Sequence, residues 1–243
     1  MTSLDIVIPV LNEEQQLPVS VPKLVAFLER ELPGHQWRVI VGDNGSTDGT
    51  PAVCKRLAEQ YPGKVTWSRI EQRGRGRMLR KAWGEGTADI CAYMDVDLST
   101  GLEALPLLVR AIDKEGYHIA IGSRLMKGAR VEKRPLKREI TSRGYNWLIK
   151  LMFWTRFSDA QCGFKALSRR VVSELLPLTK DTGWFLDSEV LIIAEKNGYR
   201  IKDVPVHWVD DPDTRVKVVK TAWGDIKGLM RLRFKGIPRA KRQ

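Results

Sequence analysis

The sequence predicts an α/β fold: a mostly parallel central sheet with helices on both faces, in a single domain spanning residues 1–243. Three observations predict it. Short runs rich in Val and Ile alternate with helical patterns from the first residues to Gly122. At 243 residues and 43% hydrophobic content, the chain is long enough to bury one large core. Asp43 and Asp95 stand where two apolar runs end, and sheets of this kind bind ligands at the carboxyl ends of their strands.

Leu4–Val10 is the first expected strand and Trp37–Gly42 the second. Thr50-Pro51 opens a helix through Tyr61, with Thr50 as N-cap and Pro51 at the first helical position. Then follow a strand at Val65–Ile70, a helix at Arg77–Glu85, a strand at Ile90–Met94, a helix at Leu102–Lys114 and a strand at His118–Gly122. After Gly122 the alternation stops. A basic, Pro-containing loop, Lys127–Lys137, leads into a helix from Arg138 to Trp154. Ser168 caps a short helix to Leu176, and Asp187–Lys196 forms another, closed by Asn197-Gly198. Tyr199–Trp208 reads as a strand and Val216–Phe234 as a final basic helix.

Composition narrows the function classes. Cys54, Cys91 and Cys162 are far apart with no C-x-x-C pair, which points to a reducing compartment and away from a disulfide framework or a zinc site. His35, His118 and His207 lack metal-ligand spacing and read as structural or exposed. No apolar run approaches the ~20 residues that span a bilayer. Leu4-Asp5-Ile6-Val7-Ile8 is strand-like at the very start, so no signal peptide is expected, and the expected location is cytoplasmic or peripheral on a membrane. The net charge of +12 is concentrated in two places. Met126–Arg143 holds seven basic and two acidic residues, and Arg215–Gln243 ten and one. Such patches call for an anionic partner: phosphate groups, anionic lipid or nucleic acid. Nucleic acid is set aside, because no reading module is present and the basic residues are not interleaved with stacking aromatics.

The sharpest chemical signal is Asp95-Val96-Asp97, directly after the apolar run Ile90–Met94. Asp disfavours strands, and a buried unpaired carboxylate is costly. A divalent cation bridging to a diphosphate compensates both charges, and hard oxygens suit Mg²⁺ or Mn²⁺; a solvated turn is the plain alternative. Asp43-Asn44-Gly45-Ser46-Thr47-Asp48-Gly49-Thr50 joins a strand to a helix and offers polar acceptors to a base or ribose, although an Asx-turn explains it equally. Gly74-Arg75-Gly76 begins like a dinucleotide fingerprint, but Leu79 stands where the third Gly belongs, which excludes a Rossmann dehydrogenase reading. No P-loop motif appears.

Taken in order, Ile6-Val7-Ile8-Pro9-Val10-Leu11-Asn12-Glu13, the Asp43–Thr50 loop, Gly74-Arg75-Gly76, Asp95-Val96-Asp97 and Gly122-Ser123-Arg124 resemble family 2 of the inverting glycosyltransferases. The second half resembles its polyprenyl-phosphate branch, the dolichyl-phosphate mannose synthases and β-glucosyltransferases. It does so at Lys137–Asn146, at Asp159-Ala160-Gln161-Cys162-Gly163-Phe164-Lys165 and at Phe185-Leu186-Asp187-Ser188-Glu189. The Gln161–Lys165 run and Val206-His207-Trp208 look closer to the glucosyl members. Asn44 stands where the family commonly has a second Asp, and Arg75 where Lys is frequent.

The resemblance implies a GT-A (Rossmann-like) fold with a nucleotide-sugar half at 1–124, an acceptor half at 125–215 and a basic amphipathic helix and tail at 216–243. It implies that Pro9, Leu11, Glu13, Asp43 and Asn44 line the nucleoside pocket, with Val96 beside them and Arg75 at the phosphates. Asp95 and Asp97 would hold Mg²⁺ or Mn²⁺, with Ser99 assisting through water. The implied acceptor is a polyprenyl phosphate, bound by Arg124, Arg138, Ser142 and Arg215. Arg suits that task because its planar fork engages two phosphate oxygens. The implied donor is UDP-glucose, with GDP-mannose as the alternative. Asp187 is either the general base for a sugar-hydroxyl acceptor or a contact to the donor sugar, and both roles stay open. Cys162 reads as a buried small residue, since an inverting displacement needs no covalent intermediate. Many relatives carry membrane spans, so a separate membrane partner or an interfacial helix must give access to the lipid. The C-terminal helix, with Trp223, Leu229, Met230 and Phe234 among Lys and Arg, reads as interfacial. For Trp147–Trp154, burial and interface placement are both open.

Overall fold

The computed structural model describes residues 1–210 and 218–240. Its centre is a seven-stranded sheet in the order β3-β2-β1-β4-β7-β5-β8. These strands are β1 (Ser3–Val10), β2 (Gln36–Asp43), β3 (Val65–Arg69), β4 (Ile90–Met94), β5 (Ile119–Ser123), β7 (Phe164–Ser168) and β8 (Ile201–Pro205). β7 runs antiparallel between β4 and β5, and the remaining pairs are parallel. A small second sheet pairs β6 (Arg130–Glu132) with β9 (His207–Val209).

Alternation along the strands builds two cores. On one face Leu4, Ile6, Ile8 and Val10 of β1 meet α1 (Leu17–Glu31), α2 (Thr50–Gln60) and α4 (Ala104–Asp113). On the other, Val7 and Tyr93 meet α3 (Arg75–Glu85), α5 (Leu136–Phe153), α6 (Arg169–Glu174), α7 (Leu186–Lys196) and α8 (Val218–Lys235). The chain leaves β1 in both directions across the sheet, so the crevice beyond the carboxyl ends of β1 and β4 is the switch point where ligands bind. Asp43 ends β2, and Asp95 follows β4 directly.

The predicted sheet with helices on both faces is observed, and the differences have local causes. Helix α1 has no counterpart among the predicted elements, because Pro18 and Pro22 lie within it and interrupt the helical pattern. β7 was not expected as a strand because it carries the buried Lys165. Tyr199–Trp208 is two strands in different sheets, parted at Val206, whose N–H donates to Ser123 O at 3.2 Å. Thr50 is the first helical residue and not the cap: its hydroxyl accepts from Glu13 N at 2.8 Å, tying α2 to the end of β1. Ser168 does cap α6 through Val171 N, and Asn197-Gly198 closes α7.

Trp147, Leu151 and Trp154 are exposed, whereas Ile149 and Phe153 enter the core. Of the two placements left open for Trp147–Trp154, each holds for one face: the inner face packs and the outer face is exposed. No described helix is long and apolar enough to cross a membrane.

Phe164 is fully buried where β7 pairs with β4. Phe164→Ala is expected to lower the unfolding free energy by about 3–5 kcal/mol, read from urea denaturation; a loss below about 1 kcal/mol would show that β7 is not part of the core.

Candidate active site

The first turn of α3, the end of β4 and the first turn of α7 converge on one guanidinium. Arg75, buried at the start of α3, donates from Nη2 to Asp95 Oδ1 at 2.9 Å and from Nη1 to Asp187 Oδ2 at 2.8 Å. Its Cζ lies 4.8 Å from the ring centres of both Tyr93 and Trp184. Burial opposes the charge, and the surrounding oxygens of Tyr93, Asp187 and Asp95 more than offset it, so the guanidinium stays firmly protonated.

Behind this pair stands a second cation. Lys165 Nζ donates to Cys162 O at 2.5 Å and to Tyr93 Oη at 3.1 Å, and lies 3.7 Å from Asp187 Oδ1. Tyr93 Oη in turn donates to Asp187 Oδ1 at 2.5 Å. Burial first, then the neighbouring Asp187, pushes the Tyr93 phenol well above its ordinary pKa, so it serves as a donor. Both Asp187 oxygens thus face protein donors.

Asp95 keeps a third of its side chain exposed, and Asp97 Oδ1 accepts from Ser99 N at 2.9 Å. Val96 is buried between them. Gly163 abuts Asp95 so closely that a Cβ there would overlap the carboxylate. Two carboxylates one residue apart, with space preserved beside the first, are a hard-oxygen donor set that fits Mg²⁺ or Mn²⁺ when a diphosphate and water complete the shell. Among the described residues, no group of three or more His, Cys, Asp or Glu side chains can hold a metal by itself.

The residues expected to line a nucleoside pocket lie at the ends of β1 and β2. Pro9, Leu11 and Glu13 are half-buried there. The Asp43 carboxylate is fully buried, accepting from Ser46 N at 2.9 Å and pairing with Arg69 at 2.6 Å. Asn44 Oδ1 accepts from Gly74 N at 2.7 Å and so fastens this loop to the start of α3. Both side chains hold loop shape, Asp43 by a local bond and Asn44 by one that reaches 30 residues along the chain.

The predicted acceptor residues form an alternating cluster of charges. Arg124 engages Asp159 through two bonds of 2.8 and 3.0 Å, with its Cζ 4.8 Å from the centre of the Trp208 ring. Arg138 Nη1 contacts both Asp210 oxygens at 2.7 and 2.6 Å, and Trp208 Nε1 reaches Asp210 at 3.3 Å. Arg134, absent from the predicted set, pairs with Glu139 at 2.7 Å. Burial, then repulsion from Arg124, lowers its pKa. Ser142 Oγ is buried with no hydrogen-bond partner among the described residues. Arg215 lies outside the described residues. Cys162 is fully buried, and burial pushes its thiol up to about 12, which suits a packing residue.

Tyr93, Lys165, Asp159, Trp184 and Arg134 were missed as site residues. Tyr93 hides in an apolar run, and Lys165 sits in an unexpected strand. Asp159 is fully buried, and its partner Arg124 lies 35 residues away, a pairing that spacing does not reveal. Asp159→Ala strips the buried Arg124 of its counter-charge and is expected to cost about 3–5 kcal/mol in urea unfolding; an unchanged midpoint would show that the pair contributes nothing.

The sequence model described as Glycosyl transferase family 2 matches residues 5–176. Glycosyltransferase AglD of Haloferax volcanii is 36% identical over 221 residues, which cover 91% of this chain and 35% of that protein. Dolichyl-phosphate beta-glucosyltransferase of Saccharomyces cerevisiae is 28% identical, covering 84% and 66%. Dolichol-phosphate mannosyltransferase of Pyrococcus furiosus is 33% identical, covering 83% and 55%. The chain thus spans between about a third and two thirds of these relatives' lengths. Among solved structures, glucosyl-3-phosphoglycerate synthase from Mycobacterium tuberculosis with Mn²⁺ and UDP-glucose has a TM-score of 0.69 at 18% identity. That match covers 97% of this chain and 80% of the other, and it establishes the GT-A fold. With the family model spanning most of the chain and the paired aspartates at the switch point of such a sheet, the protein belongs to glycosyl transferase family 2.

Proposed function

We propose that the protein transfers a hexose, with inversion at the anomeric carbon, from a nucleotide-diphosphate sugar to a polyprenyl phosphate, and that the donor is UDP-glucose. Asp187 carries this reading. A sugar-hydroxyl acceptor needs a base with a lone pair turned to the substrate, and Asp187 presents its oxygens to Arg75 and Tyr93. A phosphate monoester, with a second pKa of about 6, arrives already ionised at neutral pH and needs no base. Relatives named for dolichyl phosphate support the acceptor, and the yeast relative's name supports glucose. The Pyrococcus relative, named a mannosyltransferase, makes GDP-mannose the alternative donor.

In this reading residues 1–124 bind the donor. Pro9, Leu11 and Glu13 line the nucleoside pocket, Asp43 and Asn44 shape its loop, and Arg75 holds Asp95 beside the diphosphate. Asp95 and Asp97, with Ser99 fixing Asp97, would hold Mg²⁺ or Mn²⁺, which when bound offsets the negative charge gathering on the departing nucleotide. Residues 125–215 receive the acceptor: Arg124, Arg134 and Arg138 orient its phosphate, Ser142 Oγ donates to it, and Arg215 belongs to the same proposal. An acceptor oxygen attacks the anomeric carbon as the bond to the diphosphate breaks.

The lipid must be met at a bilayer surface, here the cytoplasmic face of a membrane. Leu136, Ile140, Trp147, Leu151 and Trp154 form an exposed stripe along α5, and Trp223, Ile226, Met230 and Phe234 form another along α8. Lys227, Arg233 and Lys235 flank the second stripe, and each adds roughly 1 kcal/mol near an anionic surface.

The test mixes the protein with UDP-glucose or GDP-mannose, Mn²⁺ and a short polyprenyl phosphate in acidic phospholipid vesicles. Mass spectrometry should find a glucosylated lipid phosphate, EDTA should abolish it, and Asp97→Asn should slow it about a hundredfold. The protein should sediment with those vesicles and not with neutral ones. Transfer that survives EDTA, or sugar found only on a hydroxyl acceptor, overturns the proposal.

A further inference from the structure

The inner face of α8 is pinned to two segments that carry site residues. Asp225, almost fully buried, accepts from Gln161 Nε2 at 2.5 Å. Burial pushes its carboxyl up to about 7, with Asp181 and Asp187 adding to the rise against the bond from Gln161. A buried carboxyl held at that cost, on a helix whose outer face is apolar and basic, calls for a reason. Gln161 supplies one: it lies two residues from Asp159, which fastens Arg124, and two from Gly163, which abuts Asp95.

The second pin is Arg231. Its Nη2 donates to Glu189 Oε1 at 2.6 Å, and Glu189 is buried two residues beyond Asp187 in the first turn of α7. The other Glu189 oxygen accepts from Lys180 N at 3.0 Å and Asp181 N at 2.8 Å. These bonds hold the loop that brings Trp184 over Arg75. Between the two pins Gly228 lies so close to Phe185 that a Cβ would overlap the ring. Leu229 and Leu232 are buried in the same core as Tyr93 and Leu186.

We infer that α8 is part of the catalytic unit, with Asp225 and Arg231 as positioning residues that set the Gln161 loop against Asp95 and Arg124, and the start of α7 against Arg75. The inference rests on the proposed glycosyl transfer for its kinetic readout only. Docking alone explains the outer face of α8, but it requires neither a buried carboxylate toward Gln161 nor an ion pair to Glu189.

The test compares Asp225→Ala, Asp225→Asn, Gln161→Ala and the Asp225→Ala/Gln161→Ala double variant, all as full chains below their melting temperatures. Misplacement of this kind is expected to lower kcat for Asp225→Ala by about ten- to a hundredfold, while KM for the nucleotide sugar moves less than about threefold. Asp225→Asn, which keeps an acceptor for Gln161, should restore most of kcat. The double variant should be no slower than the slower single one, because both act through one bond. Amide hydrogen exchange is read in parallel: Asp225→Ala should speed exchange in residues 159–165, and Arg231→Lys in residues 180–189. Wild-type kcat with unchanged exchange in Asp225→Ala, or additive losses in the double variant, overturns the inference. The exchange readout needs no substrate, so an inactive wild type counts against the proposed transfer alone.

Discussion

The structure turns on one buried guanidinium. Arg75 joins the carboxylates of Asp95 and Asp187, which come from strand and helix regions 92 residues apart in sequence, and two aromatic rings flank it. A buried Arg is costly without partners, and so is each of the two acids. Together they fix one arrangement, since a planar fork with two acceptors leaves little freedom to rotate. Removing either acid costs the guanidinium one of its two partners, and removing the guanidinium breaks the tie between the two acids.

The fold makes this junction by bringing remote loops to one edge. β1 and β2 end at the Pro9–Glu13 and Asp43–Thr50 segments, β4 ends at Met94 just before Asp95, and α3 begins at Arg75. The antiparallel β7, inserted between β4 and β5, sets Lys165 and Gly163 behind the same point. From there the loop before β7 leads through Asp159 to Arg124, and through Gln161 to α8. The groups around Asp95 and those around Arg124 therefore share one wall, so a shift in the loop that carries Gly163 reaches both.

Much of this was legible in the sequence. Alternating Val- and Ile-rich runs placed five strands of the sheet, Asp95, Asp97 and Asp43 stood out as carboxylates at the ends of apolar runs, and Asp187 came through the family resemblance. What sequence spacing hides is pairing across distance. Asp159 with Arg124 and Glu189 with Arg231 look like separate surface charges until the chain folds. Tyr93 passed as an ordinary apolar strand residue, and Lys165 made β7 look unlike a strand. The two prolines of α1 obscured a helix that tertiary packing of Leu17, Val21, Leu24 and Leu28 keeps in place. Local preference was overruled by burial in each of these cases.

The most direct measurement is the transfer rate of Arg75→Lys, with the melting temperature read alongside. Lysine keeps the charge but is a single point that cannot bridge two carboxylates with fixed geometry. The account predicts a folded protein whose kcat falls about a hundredfold, because Asp95 and Asp187 lose their common tie. A folded Arg75→Lys variant working at the wild-type rate would contradict it.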